Sequence, residues 1–161
     1  MVARARVTGA GGRHRRPRSA EWPHGLQGNG ALTTPFWCLL VVAIIPYVLA
    51  GVGARLRIQQ LGSLDARHPR VQALELRGIA ARAYAAQQNA WEALALFGTA
   101  VIVAHLSGAN PAQSALASSI FVVARLLHGP LYIADKAPLR TVVFVVGLAC
   151  CVWLFVLAIS A

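Results

Sequence analysis

Charged residues, and acidic residues above all, are scarce in this chain. Five Asp and Glu stand against 15 Lys and Arg among 161 residues, and charged residues make up only 12% of the sequence. Hydrophobic residues make up 57%, and the stretch 141–161 contains no charge at all. Soluble domains carry about 25% charged residues. The composition therefore excludes an ordinary soluble domain and favours a membrane protein.

Cysteine is scarce as well. Cys38, Cys150 and Cys151 all lie inside apolar stretches, without the spacing of a zinc site or a C-x-x-C redox pair. We interpret them as small hydrophobic residues and expect no metal site. The sequence also lacks an internal repeat, and no small-residue cleavage site follows the first apolar stretch, so that stretch is expected to remain as a membrane anchor.

Four apolar stretches are long enough to cross a bilayer, since about 20 helical residues span a hydrocarbon core of about 30 Å. We predict an all-α, integral-membrane, up-down bundle of four helices over residues 35–161. The second helix is expected to begin near Val71, before the membrane, and Asn110 is expected to cap the third helix. The predicted spans are 35–54, 76–106, 111–133 and 138–160.

The distribution of basic residues predicts the orientation. Six arginines lie between residues 55 and 82, around the first loop, and Lys136 and Arg140 lie at the third loop, whereas the second loop (107–114) is uncharged. The positive-inside rule therefore places the first and third loops in the cytoplasm and both termini outside. We expect the protein to reside in a bacterial inner membrane.

The N-terminal tail, residues 1–34, contradicts this arrangement. It is basic and rich in Gly and Pro, which predicts disorder, and its six arginines before residue 20 fall on the predicted outer side. Two interpretations stay open: the tail binds anionic lipid, or translation starts further along the chain. A nucleic-acid partner is not expected, because no aromatic interleaving or binding motif accompanies the charges.

Glu92 is the most informative residue, because it places an acid inside an apolar span. A charge at membrane depth costs at least about 2.5–3.5 kcal/mol, so such residues usually have a partner and a function. At 100° per residue, Asn89 lies about 20° from Arg82 around the helix, and Glu92 lies about 60° further. The second span therefore carries a cation, an amide and a carboxylate on one face.

The third span has a matching polar face. Arg125, His128 and Tyr132 fall within about 60° of one another. Two interpretations follow from the facing polar groups. They form a functional cleft that opens toward the cytoplasm, or they serve only structure, with a buried Glu92–Arg125 ion pair that locks the helices together and an interhelical hydrogen bond from Asn89.

Two segments resemble a known family. Residues 82–97, RAYAAQQNAWEALALF, resemble the second-helix signature of the MAPEG family (membrane-associated proteins in eicosanoid and glutathione metabolism), whose core is Asn-x-x-Glu before an apolar run. Residues 124–132, ARLLHGPLY, with Arg140 beyond them, are similar to its third-helix stretch and the arginine that follows. The resemblance covers about residues 35–161.

The resemblance implies a homotrimer that binds glutathione in clefts between subunits. The thiolate would attack a hydrophobic electrophile that arrives through the lipid, or would reduce a lipid hydroperoxide. Arg140 is the implied catalytic residue, because an adjacent positive charge favours thiolate over thiol. The residues implied in glutathione binding are Arg82, Asn89, Glu92, Arg125, His128 and Tyr132.

A non-catalytic membrane scaffold or regulator of the same fold is the alternative. It would use the polar helix faces for assembly instead of for binding a thiol. A small transporter is less favoured, because the four predicted helices show no inverted repeat.

Overall fold

The computed structural model describes residues 32–161. All but one of the helices in this part of the chain are long and apolar enough to cross a membrane, which confirms the predicted four spans. Residues 1–31 of the predicted N-terminal tail lie outside the described residues. The helices are α1 (Thr34–Leu61), α2 (Pro69–Ala73), α3 (Gly78–Leu106), α4 (Pro111–Ile133) and α5 (Ala137–Ile159).

The connection between α1 and α3 differs from the prediction. Helix α1 continues to Leu61 and ends at Gly62, whose left-handed φ of 82° lets its N–H bond the Ile58 carbonyl at 2.8 Å. Helix α3 begins at Gly78 and not near Val71. Gly78 has a φ of 56°, which interrupts the helix and leaves α2 as a separate turn. We call residues 62–77 the inner loop, and the end of the bundle that carries it the inner end.

The opposite connection follows the prediction. Asn110 caps α4, since its side-chain oxygen accepts bonds from the Ala112 and Gln113 N–H groups, each at 3.1 Å. The cap satisfies two of the backbone donors that the first turn of a helix leaves free. Residues 107–110 alone therefore suffice to turn the chain from α3 into α4.

Helices α3 and α4 occupy the centre of the bundle, since α1 and α5 each contact both of them. Small buried side chains let the helices approach closely, as membrane helices require. The Phe97 and Phe121 rings stack between α3 and α4 with centroids 4.0 Å apart. This packing fixes the faces of α3, α4 and α5 that carry the polar residues. The buried alanines of α3 and α4 are Ala80, Ala83, Ala86, Ala90, Ala100, Ala104, Ala117 and Ala124.

Candidate functional site

Arg125 and Asn89 join α4 to α3 near the middle of the spans. Arg125 is only 4% exposed. Its Nη2 donates to the Asn89 side-chain oxygen at 2.9 Å and to the Asn89 backbone carbonyl at 3.4 Å. Hydrogen bonds from a charged donor are stronger than neutral ones. The interhelical hydrogen bond expected of Asn89 is therefore formed, and both of its oxygens accept from the guanidinium.

Asn89 also connects Arg125 to Glu92. The Asn89 Nδ2 donates to Glu92 Oε2 at 3.5 Å, a long contact. Neither ion pair found within residues 32–161 includes Glu92, and its carboxylate is exposed on the surface of α3. The Glu92–Arg125 lock that the structural interpretation required is therefore not formed. Asn89 stands between the two charges, and Glu92 faces outward from the subunit.

These three polar residues line one end of a cleft of about 160 Å³ where α3, α4 and α5 meet. Its other walls are apolar. Gly147 forms part of the floor, where an added Cβ would lie 3.6 Å from Phe121 and 3.9 Å from the Arg125 Cδ. The cleft thus combines a hydrogen-bonding end with a hydrophobic wall. The apolar side of the cleft is lined by Ala93, Leu96, Phe121, Phe144, Gly147, Leu148 and Cys151.

His128 and Tyr132 continue the polar face of α4 toward the inner end, and Arg140 lies beside them at the start of α5. The Arg140 Cζ lies 4.2 Å from the Tyr132 ring centroid, a cation–π contact between α5 and α4. The His128 and Tyr132 rings meet edge to face at 5.6 Å. His128 is 2% exposed, and its Nδ1 has no hydrogen-bond partner among the described residues. Tyr132 is about 10 Å along the helix from Arg125, and none of these three lines the 160 Å³ cleft.

Arg82 is not brought together with Asn89 and Glu92. Its Nε donates to the Ile133 carbonyl at 3.0 Å, and its Nη1 lies 3.6 Å from Asp135 Oδ2. Asp135 has a φ of 59°, unusual for a residue other than glycine, in the turn between α4 and α5. Arg82 therefore binds the last carbonyl of α4 and the acid of the following turn. An acid directly after the third span was the sequence signal for this partner.

A second, larger cleft was not predicted. It has about 420 Å³ and lies between α1, the inner loop and α3. The Arg57 Cζ lies 5.9 Å from the Tyr84 ring centroid, and the Arg57 Nε is buried without a partner in the described part of the chain. Gln87 and Gln88, directly before Asn89, were the available sequence signal. The polar residues that line this cleft are Arg57, Asp65, Arg70, Tyr84, Gln87 and Gln88.

The comparison with protein families agrees with this architecture. The model of the MAPEG family matches residues 34–160, a range that contains all four long helices and every residue of both clefts. Neither a curated protein nor a solved structure matches the chain.

Proposed function

Because this chain belongs to the MAPEG family, we propose that it is a membrane enzyme that binds glutathione, or a related thiol, at Asn89, Glu92 and Arg125. Its reaction is the conjugation of that thiol to hydrophobic electrophiles or the reduction of lipid hydroperoxides. Family membership and the four apolar helices make the chain a multi-pass integral membrane protein. Residence in a bacterial inner membrane is part of the proposal. The observation that supports the proposal most is the position of the Asn89 amide, which bonds both the buried Arg125 guanidinium and the exposed Glu92 carboxylate beside a cleft.

The charges of glutathione suit this arrangement. The tripeptide carries two carboxylates, one ammonium group and the thiol. Arg125 and the Asn89 amide offer donors for a carboxylate, and the exposed Glu92 offers an acceptor for the ammonium group. The apolar residues of the same cleft offer a surface on which a hydrophobic acceptor arriving from lipid would pack. The proposal brings a water-borne donor and an oily acceptor together there.

Arg140 is the proposed catalytic residue. It is half-buried at the start of α5 and is fixed by its 4.2 Å contact with the Tyr132 ring. A guanidinium beside the sulfur stabilises the thiolate that attacks the acceptor. Tyr132 and His128, whose rings meet edge to face, are proposed to bind the thiol beside Arg140, between it and the cleft. Arg82 is engaged by the α4–α5 turn, so its contribution in this proposal is to hold the turn that leads into Arg140.

We propose that a second copy of the chain completes the site, in the homotrimer that the resemblance implies. Ligand-binding pockets commonly have about 300–1,000 Å³, whereas the cleft at Arg125 has about 160 Å³. Glu92 also lies on the outer surface of α3 within a span. A carboxylate that faced lipid there would be costly. Another subunit that covers Glu92 would remove this cost and enlarge the cleft.

The activity is tested with the full chain in nanodiscs, using glutathione and either chlorodinitrobenzene or a lipid hydroperoxide. We expect conjugation or peroxide reduction above the uncatalysed rate. Arg140→Gln should lower kcat by at least about tenfold, the effect of losing roughly 1.4 kcal/mol of transition-state stabilisation. Lys136→Gln, at a cation whose side chain makes no hydrogen bond or ion pair within residues 32–161, serves as the matched control. A wild-type rate equal to background with both acceptors would contradict the proposal.

The exposure of Glu92 also favours the second candidate, a non-catalytic membrane scaffold. In that case Glu92 serves assembly alone. Native mass spectrometry of Glu92→Gln separates the two: weakened assembly with no glutathione binding by the wild type supports the scaffold. An intact oligomer that has lost glutathione binding supports the enzyme.

A further inference from the structure

The inner loop is held in one conformation by a buried amide. Gln72 is 8% exposed; its Nε2 donates to the Ser63 carbonyl at 2.9 Å, and its Oε1 accepts from the Asp65 N–H at 3.0 Å. The Asp65 Oδ1 in turn accepts from the N–H groups of Arg67 and His68 at 2.7 and 2.9 Å. A loop cross-linked in this way presents a fixed outer surface.

That outer surface displays aliphatic side chains. Ala73 and Leu76 point inward and pack against the start of α3, but Val71 is 58% exposed and Leu74 is 76% exposed. Arg77 stabilises this arrangement, because its Nη1 donates to the Leu74 and Leu76 carbonyls at 3.0 and 3.1 Å. The loop therefore holds Val71 and Leu74 outward instead of folding them into the core.

Three arginines flank these aliphatic residues in the sequence. Arg67, Arg70 and Arg77 are exposed on the same segment. The inner loop has two acids. Asp65 already caps the loop backbone and lies 3.7 Å from the His68 ring nitrogen, so Glu75 is the remaining acid that could offset the charge of these arginines. Exposed aliphatic groups beside arginines are typical of segments that lie in the interface of an anionic membrane.

The lengths of the helices place the loop at the depth of lipid headgroups. Helices α1 and α3 have 28 and 29 residues, whereas α4 and α5 have 23 each. Arg82, the fifth residue of α3, bonds to the end of α4 through its side chain, and the four residues before it add about 6 Å of helix toward the inner loop. The headgroup layer is about 5–7 Å thick on each side of the hydrocarbon core.

We propose that the inner loop is a binding surface for anionic phospholipid. Val71 and Leu74 enter the boundary between acyl chains and headgroups, and Arg67, Arg70 and Arg77 bind the lipid phosphates. The partner follows from charge complementarity and from the depth of the loop. The proposal depends on the membrane location of the chain and not on its thiol chemistry, so the two are tested separately.

The depth of the loop is measured on the full chain in nanodiscs. Leu74→Cys, with the three natural cysteines replaced by alanine, carries a polarity-sensitive fluorophore. We expect blue-shifted emission that is quenched by brominated lipid and little by iodide in the water. Strong quenching by iodide without quenching by brominated lipid would overturn the proposal. Shielding from both quenchers would show that a second copy of the chain covers the loop, and would overturn it as well.

The charge requirement is measured by native mass spectrometry with phosphatidylglycerol and phosphatidylcholine. The wild type should prefer phosphatidylglycerol, and each of Arg67→Gln, Arg70→Gln and Arg77→Gln should lower that preference about fivefold, since one arginine near an anionic surface contributes about 1 kcal/mol. Lys136→Gln at the neighbouring turn is the matched control. Inorganic phosphate should not compete. An unchanged preference in the triple variant, or full competition by phosphate, would contradict lipid binding.

Discussion

Two arginines, Arg82 on α3 and Arg125 on α4, have opposite environments. Arg125 is buried, is held by the Asn89 amide and lies beside a cleft, with no acid within salt-bridge distance in the described residues. Arg82 is about one-third exposed and binds both the Ile133 carbonyl and the Asp135 carboxylate at the inner end. The charge of Arg125 therefore remains available to a ligand in the cleft. The charge of Arg82 is already balanced by the Asp135 carboxylate and the Ile133 carbonyl.

The difference shows that the position of an arginine relative to a helix end determines which protein groups are available to bind it. A helix C-terminus carries free carbonyls and partial negative charge, so an arginine at that level finds partners at once. In the middle of a span the carbonyls already accept bonds within the helix, so Arg125 is held chiefly by the Asn89 side-chain oxygen at 2.9 Å, with a longer 3.4 Å bond to the Asn89 carbonyl. A cation that is held by a neutral amide deep in the bundle is therefore the better candidate for binding an anion from outside.

The largest effect is expected for Arg125→Leu. Loss of a buried, charge-assisted hydrogen bond should lower the free energy of unfolding by about 1.5–3 kcal/mol, and glutathione binding should disappear. Arg125→Lys is the matched variant, because it keeps the charge but loses the planar fork that reaches the Asn89 oxygen. Denaturant unfolding in detergent and calorimetry with glutathione measure both effects. A fully stable, ligand-binding Arg125→Leu protein would remove Arg125 from the site.

Asn89→Asp separates the two bonds of the amide. The aspartate still accepts from Arg125, so stability should stay within about 1 kcal/mol of the wild type, whereas Asn89→Leu should lose about 1–3 kcal/mol. The aspartate no longer donates to Glu92 and places a like charge beside it. Glutathione affinity should therefore fall by roughly tenfold in Asn89→Asp, about 1.4 kcal/mol. Equal stability of the aspartate and leucine variants would show that the Arg125–Asn89 bond contributes nothing.

Gly147→Ala changes the size of the cleft without removing a polar group from it. The added methyl meets Phe121 and Arg125 at 3.6 and 3.9 Å, ordinary contact distances. The melting temperature should therefore change little. Affinity for a bulky hydrophobic acceptor should fall several-fold, because the added methyl reduces the volume of the cleft. Gly98→Ala, whose Cβ would lie 3.5 Å from Leu39 outside the cleft, is the control. Equal acceptor KM values for the two variants would place the acceptor elsewhere.

The smallest effect is expected for Asp135→Asn, which removes the ion pair with Arg82. Pairs with this much exposure contribute about 0.2–1 kcal/mol and are screened by salt. The difference in unfolding free energy from the wild type should shrink at high ionic strength, whereas the Arg125→Leu difference should persist. If the Arg125→Leu difference also disappears with salt, the contrast between the two arginines fails.

Much of this architecture was predictable from the sequence, because it depends on local features. The apolar stretches determine the four spans, and Asn110 before Pro111 determines the cap of α4. An interhelical hydrogen bond from Asn89 followed from helical periodicity on two neighbouring faces, although Glu92 was the expected partner of Arg125. Each of these requires only the spacing of residues along one helix.

The remaining features depend on where different helices end relative to one another. Periodicity placed Arg82 on the face of Asn89, but α4 ends at the level of Arg82 and supplies its carbonyl. The inner loop folds around the buried Gln72, which no pattern marks as an interior residue. Gly78 adopts a left-handed φ, which glycine permits but which the presence of a glycine does not by itself predict. The larger cleft under this loop was unpredictable for the same reason.

The central claim is that the outward-facing Glu92 and the Asn89-held Arg125 form a binding site for an anionic thiol. Calorimetric titration of glutathione into the full chain in nanodiscs tests it most directly, with Glu92→Gln and Asp135→Asn measured in parallel. We predict saturable binding by the wild type and by Asp135→Asn, and at least about tenfold weaker binding by Glu92→Gln. Absence of heat from the wild type, or equal affinity of the Glu92→Gln protein, would contradict the claim.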